Sequence, residues 1–545
     1  MWICPRCGSE NDNGWICPKC GYDDSKNYER HLAAFPLSDE TRKTYVSSGD
    51  VLEEKIGKKQ DKPILSGRSF KGWKRNLLLI LAVAVLGLGL WGRGRGFGEE
   101  EGRAAVTGTD SAEEVNAREE ESGNESFERE EEKRNILMRV PHEEDSSEGG
   151  GVSGEDMLFR TNIARNEFVS VVFLDTAEEA PEECWDVSEK EDGSVVAWAE
   201  EGEEGYRLYI AGEGGVTANE DSDYLFSGCT NVTSIAFNGN FDTSDTSSMN
   251  SLFRDCENLT EVDADTLDTS KAGSIRAVFM NCGKLPSIRL NSWDTSQVTD
   301  MTALFYGCAG LNELDLSKFD TSKVEDMRNV FRDCSKLKRL DLSGFDTACL
   351  TNMGSMFANC SALEELNLDG WDTSQVTTMH TVFYGCSTLT ELDISGFDTS
   401  QVTDMTGLFA NCSALEELDL SSWNTFQVIN MKGIFYKCEN LTKLDISGFD
   451  TSQVTDMSLM FFKCRKLEEL DVSRFDTSQA VTMECMFKLC ESLTGLDVTK
   501  FNTSNVTNMD SMFEDCGNLA ELDISGFDMS RVENREDMLT GTLWE

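Results

Sequence analysis

Cysteines stand at positions 229, 256, 282, 308, 334, 360, 386, 412, 438, 464, 490 and 516; the first interval is 27 residues and the other ten are 26. No other feature constrains the fold so tightly. Equal units that cannot bury an apolar face alone must stack, each covering the next. One clean copy runs from Leu444 to Glu469, LDISGFDTSQVTDMSLMFFKCRKLEE. Leu441, Leu444 and Ile446 predict a short strand with Leu444 and Ile446 on one face. Ser447-Gly448-Phe449 turns the chain, and Asp450-Thr451-Ser452 offers capping side chains. Val454, Met457, Phe461 and Cys464 follow at i, i+3, i+7 and i+10, which predicts one stripe of a helix.

A strand plus a helical segment in 26 residues fits the leucine-rich-repeat window of about 20–29 residues. The expected fold class is therefore an α/β leucine-rich-repeat solenoid over residues 229–545, closed by a C-terminal cap. A parallel β-helix is the rival, and it gives no reason for the helical spacing. The columns support stacking. Phe stands three before each cysteine, Met dominates seven before, and Trp293, Phe319, Phe345, Trp371, Phe397, Trp423 and Phe449 form an aromatic column after the strand. Recurrence at one place in every rung is what core packing demands. The cysteine column reads the same way, as a small apolar residue in a tight corner.

The chain opens MWICPRCGSENDNGWICPKCG, in which W-I-C-P-x-C-G occurs twice. Two C-x-x-C pairs bring four thiolates into a tetrahedron of the kind Zn²⁺ accepts in closed structural sites. So short a segment has no core of its own, and the metal supplies its folding energy. Residues 1–25 resemble the zinc-ribbon family, with Cys4, Cys7, Cys17 and Cys20 as metal ligands; zinc is expected, and iron stays open.

A polar, lysine-containing linker (26–75) leads to NLLLILAVAVLGLGLW, Asn76 to Trp91. Trp73 and Trp91 stand at interfacial positions, and an isolated apolar run between polar linkers has no core to join. One transmembrane helix over 76–92 is expected. Lys71, Lys74 and Arg75 precede it and Glu99-Glu100-Glu101 follow, which places the N-terminus inside and the repeats outside. A thiolate metal site also suits a reducing interior. Residues 93–157, rich in Glu, Gly and Ser, read as an acidic disordered stalk. Residues 158–228, with β-like runs at 168–174, 194–199 and 206–210, read as an N-terminal cap.

The phrase C-x-x-L-x-x-L-D-[LI]-S-x-[FW]-D-T-S-x-V-x-x-M-x-x-[LM]-F-x-x-C resembles the BspA-like family of bacterial surface leucine-rich-repeat proteins over residues 160 to 545. The resemblance implies extracellular display or adhesion toward proteins or other cells, and no enzyme. The last rung departs from the pattern at Arg535, Leu539 and Thr542, as a closing cap would.

A formal charge of −50 argues against nucleic acid, whose phosphates need Lys and Arg. For catalysis there is no Ser/His/Asp set, phosphate loop or metal-hydrolase motif among the three histidines and numerous carboxylates. The expected ligand-binding residues are an outward strand column, Asp315, Asp341, Asp393, Asp419, Asp445, Asp471 and Asp497, with Arg289, Lys338 and Arg339 as a basic break. Like charges one rung apart would repel; the column reads as a cation-loaded face, with Ca²⁺ the weaker reading, as a surface for basic proteins, or as a solvated face that prevents aggregation. The expected function is a single-pass cell-membrane protein that binds an extracellular protein or cell-surface ligand through its solenoid. The alternative is a transmembrane signalling or envelope-organising scaffold whose zinc ribbon docks a cytoplasmic protein.

Overall fold

The computed structural model describes residues 2–3, 10–11, 134–140 and 156–544, and the chain divides into two compact units, Met1–Glu131 and Glu132–Glu545. In the first, β1 (Trp2–Ile3) pairs antiparallel with β2 (Glu10–Asn11). Cys4, Cys7, Cys17 and Cys20, the linker and the 76–92 span lie outside the described residues. No helix among the described residues is long and apolar enough to cross a membrane.

The second unit starts earlier than its composition suggests. The stalk expected over 93–157 is too long at its far end: within 134–140, Leu137 and Val140 are buried in the core, and Ile136 and Leu137 bridge to Thr217 and Ser188. The apolar run Ile136-Leu137-Met138 amid acidic neighbours is the cause. In the cap, β3 (Phe168–Leu174), β4 (Trp185–Asp186), β5 (Val195–Glu201) and β6 (Tyr206–Gly212) turn Phe168, Val171, Phe173, Val195, Leu208 and Ile210 inward. β7 (Val216–Thr217) follows, then β8 (Ser234–Ala236), β9 (Phe241–Asp242) and β10 (Glu261–Val262) of the first rungs. One sheet runs β10-β8-β3-β6-β5-β4, so cap and solenoid share a continuous ladder. Parallel pairs β3·β8 and β8·β10 pass the register from one to the other.

Further along, the predicted strand positions form short parallel pairs: β11 (Arg339–Asp341) with β12 (Glu365–Asn367), β13 (Glu417–Asp419) with β14 (Lys443–Asp445), and β15 (Gly495–Leu496) with β16 (Glu521–Leu522). A second parallel ladder, of single bridges, links Ser274, Asp300, Asp326, Asn352, Thr378 and Asp404 in successive rungs.

The helical segment predicted for each rung is not a helix. The described residues hold no α-helix and two 3₁₀ turns, Arg165–Glu167 and Ala264–Thr266. In the rung ending at Cys308, the N–H groups of Met301, Ala303, Phe305 and Gly307 donate to the next rung's Asp326, Arg328, Val330 and Arg332 carbonyls at 2.8–3.0 Å. Those of Leu304, Tyr306 and Cys308 donate three residues back, at 3.1 Å. A helix would keep all these bonds to itself; this stack shares half of them with its neighbour. Two left-handed residues per rung enforce the alternation, here Ala303 (φ 57°) and Gly307 (φ 72°). The position before the cysteine is mostly Gly, Asn or Asp (Asn281, Gly307, Asp333, Asn359, Gly385, Asn411), the residues that tolerate that conformation.

Three side-chain ladders fill the rod. Phe253, Phe279, Phe305 and their successors stack with centroids 5.3–5.9 Å apart. Thr295 Oγ donates to the Asp320 carbonyl (2.9 Å) and accepts from the Asp320 N–H (2.8 Å), a buried exchange between rungs that recurs at Thr347 and Asp372. Each column cysteine from Cys256 to Cys516 donates its thiol to a Phe carbonyl of the preceding rung, as Cys308 does to Phe279 at 3.1 Å. All described cysteines are free thiols. Thr542 takes the cysteine's place in the last rung and bonds the Leu539 carbonyl (2.6 Å), while Trp544 Nε1 donates to Leu519 O (3.0 Å).

Candidate ligand-binding face

Strand residues alternate, so in each rung two side chains point out from the sheet, five and seven residues after the cysteine. The second of these is the predicted Asp column. Asp315, Asp341, Asp393, Asp419, Asp445, Asp471 and Asp497 are all exposed, as expected. The parallel register sets Asp419 directly beside Asp445.

These carboxylates already have work within the fold. Each accepts the backbone N–H two residues on: Ser317 for Asp315 (3.0 Å), Ser343 for Asp341 (3.1 Å), Ser395 for Asp393 (3.1 Å), Ser421 for Asp419 (2.9 Å), Ser447 for Asp445 (2.9 Å), Ser473 for Asp471 (2.9 Å) and Thr499 for Asp497 (3.1 Å). That is an Asx turn, and it bends the chain from the sheet toward the aromatic column. Hydrogen bonds from the side chain and the N–H of that residue hold the carboxyls of Asp341, Asp393, Asp419, Asp471 and Asp497 below the usual carboxylate range. At Asp315 the backbone N–H of Ser317 leads. Repulsion along the column is thus opposed locally, rung by rung. Among the described residues no group of three or more His, Cys, Asp or Glu is placed to hold a metal ion. The D-T-S aspartates make the same turn, as at Asp372 with Ser374 (2.9 Å).

The basic break is internal too. Lys338 pairs with Glu364 (3.1 Å) and Arg339 with Glu365 (3.0 Å), each one rung on. Arg289 is exposed on the same face. His380 is half-buried. Its ring fills the space beside Gly354, its Nδ1 lies 2.8 Å from Thr378 Oγ, and burial pushes its pKa down.

Of the other outward column, Ser287, Glu313, Arg339, Glu365, Glu391, Glu417, Lys443, Glu469, Gly495 and Glu521, only Arg339 was among the expected binding residues. Apart from half-buried Gly495 its members are exposed, and they vary in charge from rung to rung while their Asp neighbours barely change. The signal was available: one column of each strand is nearly constant and the other is not. Shallow grooves open on this face, one lined by Glu391, Asp393, Glu416, Glu417 and Asp419, another by Asp497, Glu521, Asp523 and Trp544.

Against known proteins, a family described as "Mycoplasma protein of unknown function, DUF285" matches residues 220–289, 278–366, 351–444 and 431–543. No curated protein matches the chain. Among solved structures, the crystal structure of a TLR13–ssRNA13 complex is similar at 14% identity with a TM-score of 0.15, over 60% of this chain and 57% of that one. The chain thus spans little more than half of that relative's length.

Proposed function

Because the chain belongs to the DUF285 family of Mycoplasma proteins of unknown function, a repeat family, we propose that it is a surface-displayed recognition protein. Its rod binds an extracellular protein or cell-surface ligand along the strand face. The BspA-like resemblance of the repeat phrase agrees with that role. The apolar run Asn76–Trp91 tethers the rod to the cell membrane with the N-terminus inside, where Cys4, Cys7, Cys17 and Cys20 hold a structural Zn²⁺.

One observation carries the reading. On the strand face the Asp column is committed to Asx turns, whereas the column through Glu391, Glu417, Lys443 and Glu469 is exposed and differs from rung to rung. A column free to vary at no cost to stacking is where recognition can be written. Its acidic bias favours a basic partner patch. Protease shaving of intact cells tests the display: peptides from 156–544 should be released, and their retention in intact cells sinks the proposal. A screen of the full chain against proteins and glycans then names the ligand. Reversal of Glu391 and Glu417 to Lys should weaken its binding at least tenfold.

A further inference from the structure

Of the six large apolar side chains left exposed among the described residues, Met157, Leu543 and Trp544 lie toward the ends, and the other three share one face. Phe426 is 57% exposed, Ile429 41% and Val481 46%. Ile429 and Val481 stand in one column with Thr455 between them, hydrogen-bonded rung to rung. The N–H of Ile429 donates to Thr403 O (3.0 Å), that of Thr455 to Ile429 O (3.0 Å), and that of Val481 to Thr455 O (2.8 Å). Such a ladder spaces its side chains about 4.8 Å apart. Stacking does not ask for these apolar groups. Neighbouring rungs carry Thr377, Thr403 and Thr455 in the same ladder, and Ser400 or Ser452 in the place of Phe426. The Thr hydroxyls are bonded within the rod, Thr403 to Thr377 O and Thr455 to Ile429 O, each at 3.2 Å.

The same face is the uncharged side of an acidic rod. In seven successive rungs, from Ala348–Thr351 to Ser504–Thr507, the four residues that build it include no Asp, Glu, Lys or Arg, in a chain of net charge −50. Lys323 and Glu325 stand in the rung before, and Arg531 and Glu533 in the rung after. Along one flank runs the D-T-S aspartate column, which is Asp in ten rungs and Asn only at 424 and 502. All its members from Asp398 to Asn502 are exposed. Along the other flank Asp404, Asn430, Asp456, Thr482 and Asn508 form the half-buried ladder of single bridges.

We propose that a second copy of this chain docks here, the two rods antiparallel about a two-fold axis through Thr455. That axis reverses the order of the rungs and sets each column against itself. Ile429 then meets Val481 of the second copy, Val481 meets its Ile429, and Phe426 lies over the small Ser478. The flanks decide the occupant and the register. Asn424 faces Asp476, Asn502 faces Asp398, and on the other side Asp404 faces Asn508. Across these five rungs Asp opposes Asp only at the axis, at Asp450 and Asp456. Each Asn thus removes one meeting of like charges, which gives the two breaks in the aspartate column a purpose. A basic partner finds carboxylates on the strand face and none on this strip, and an unrelated neutral partner gives no reason for Asn at those two rungs. The inference is independent of the strand-face reading and stands or falls without it.

The test is thiol cross-linking and sedimentation of the full-length chain in detergent, with Cys349→Ser as the parent because Cys349 is exposed. Ile429→Cys and Val481→Cys should cross-link several-fold more when mixed than either does alone, and Thr455→Cys should cross-link to itself. Thr299→Cys, whose mirror position falls beyond the last rung, should stay at the level of the parent. Phe426→Ser with Ile429→Thr restores the residues of neighbouring rungs; it should weaken self-association at least tenfold with the circular dichroism spectrum unchanged. Because both copies are acidic, association should tighten as salt rises. Reversal of Glu391 and Glu417 on the strand face should leave it unaltered. A chain that stays monomeric leaves this face to another protein and overturns the proposal. So does cross-linking of Ile429→Cys to itself beyond that of the mixture, which is the parallel pairing, or a double variant that associates within twofold of the parent.

Discussion

Arg165 Nη1 donates to the backbone carbonyl of Ser227 at 2.7 Å, deep in the protein, and reaches the Leu225 and Tyr224 carbonyls at 3.2 Å. One rung on, the equivalent carbonyls of Leu252 and Arg254 are taken by the N–H groups of Phe226 and Gly228. The guanidinium therefore occupies the place of a rung that does not exist, and it ends the ladder by supplying the donors that rung would have brought. Burial lowers its pKa, yet an arginine stays charged where a lysine could shed its proton.

Replacing Arg165 with Met should expose this role. The side chain is of similar length, but the first rung's carbonyls become buried and unpaired, at about 1–3 kcal/mol each. The expected loss is about 3 kcal/mol or more, read by urea denaturation. Because rungs couple chiefly to their neighbours, hydrogen exchange should quicken in rungs 224–260 and stay slow beyond 450. Uniform acceleration along the rod would contradict the capping role.

The left-handed column gives a prediction of opposite sign. Leu489 sits at φ 64° before Cys490, where most other rungs place Gly, Asn or Asp and two place Lys. A branched side chain there costs about 1–2 kcal/mol. Leu489→Gly should recover about 1 kcal/mol of it, whereas Asn359→Ala at the same position should lose a comparable amount. Thermal midpoints of the two variants, moving in opposite directions, check the assignment.

This column also explains how far the sequence could be read. The period, the inward Leu, Phe and Met ladders and the outward Asp face were all legible, because stacking repeats each inward residue type at one place. The turn between Met457 and Cys464 was not. Its apolar residues fall at helical spacing because two left-handed turns, at Leu459 and Lys463, return side chains to the core about as often as a helix does. The deciding clue was the Gly, Asn or Asp before most cysteines, which a helix interior disfavours. The Asp column lies on the outward face, as expected, but its turn-making role was not legible. Its purpose became visible only once Asp393 was seen accepting the Ser395 N–H.

Those Asx turns set an acid limit. The carboxyl pKa values of Asp315, Asp341, Asp393, Asp419, Asp471 and Asp497 are depressed in the fold, so their contribution is present above the unfolded value, about 3.9, and fades as pH falls through the folded values. Stability should therefore hold steady down to about pH 4 and decline below it. Asn367, Asn424 and Asn502 already occupy these turn positions. Converting Asp341, Asp393 and Asp419 to Asn should flatten the acid decline and leave neutral-pH stability nearly unchanged. Urea midpoints at pH 3 and pH 7 measure both; an equal acid decline in the triple variant would refute the link.

The cysteine column sets the limit on the other side. All twelve thiols are buried, and desolvation raises each pKa, to about 11 for Cys229 and about 12 for Cys308, Cys412 and Cys516. A raised thiol pKa means that the fold favours the protonated form. Its contribution is complete below the unfolded value, about 8.5, and is lost as pH climbs toward the folded one. Each such thiol gives up stability through that window, and the twelve act together. The rod should unfold cooperatively between about pH 9 and pH 10.5, followed by far-UV circular dichroism. Alkylation of the native protein at pH 8 should label exposed Cys349 first and the column only after unfolding. Changing Cys308, Cys334, Cys360 and Cys386 to Ala should make the alkaline transition visibly shallower, even if the cavities lower stability at pH 7. An unchanged slope in that variant would mean that something other than the thiols drives the collapse.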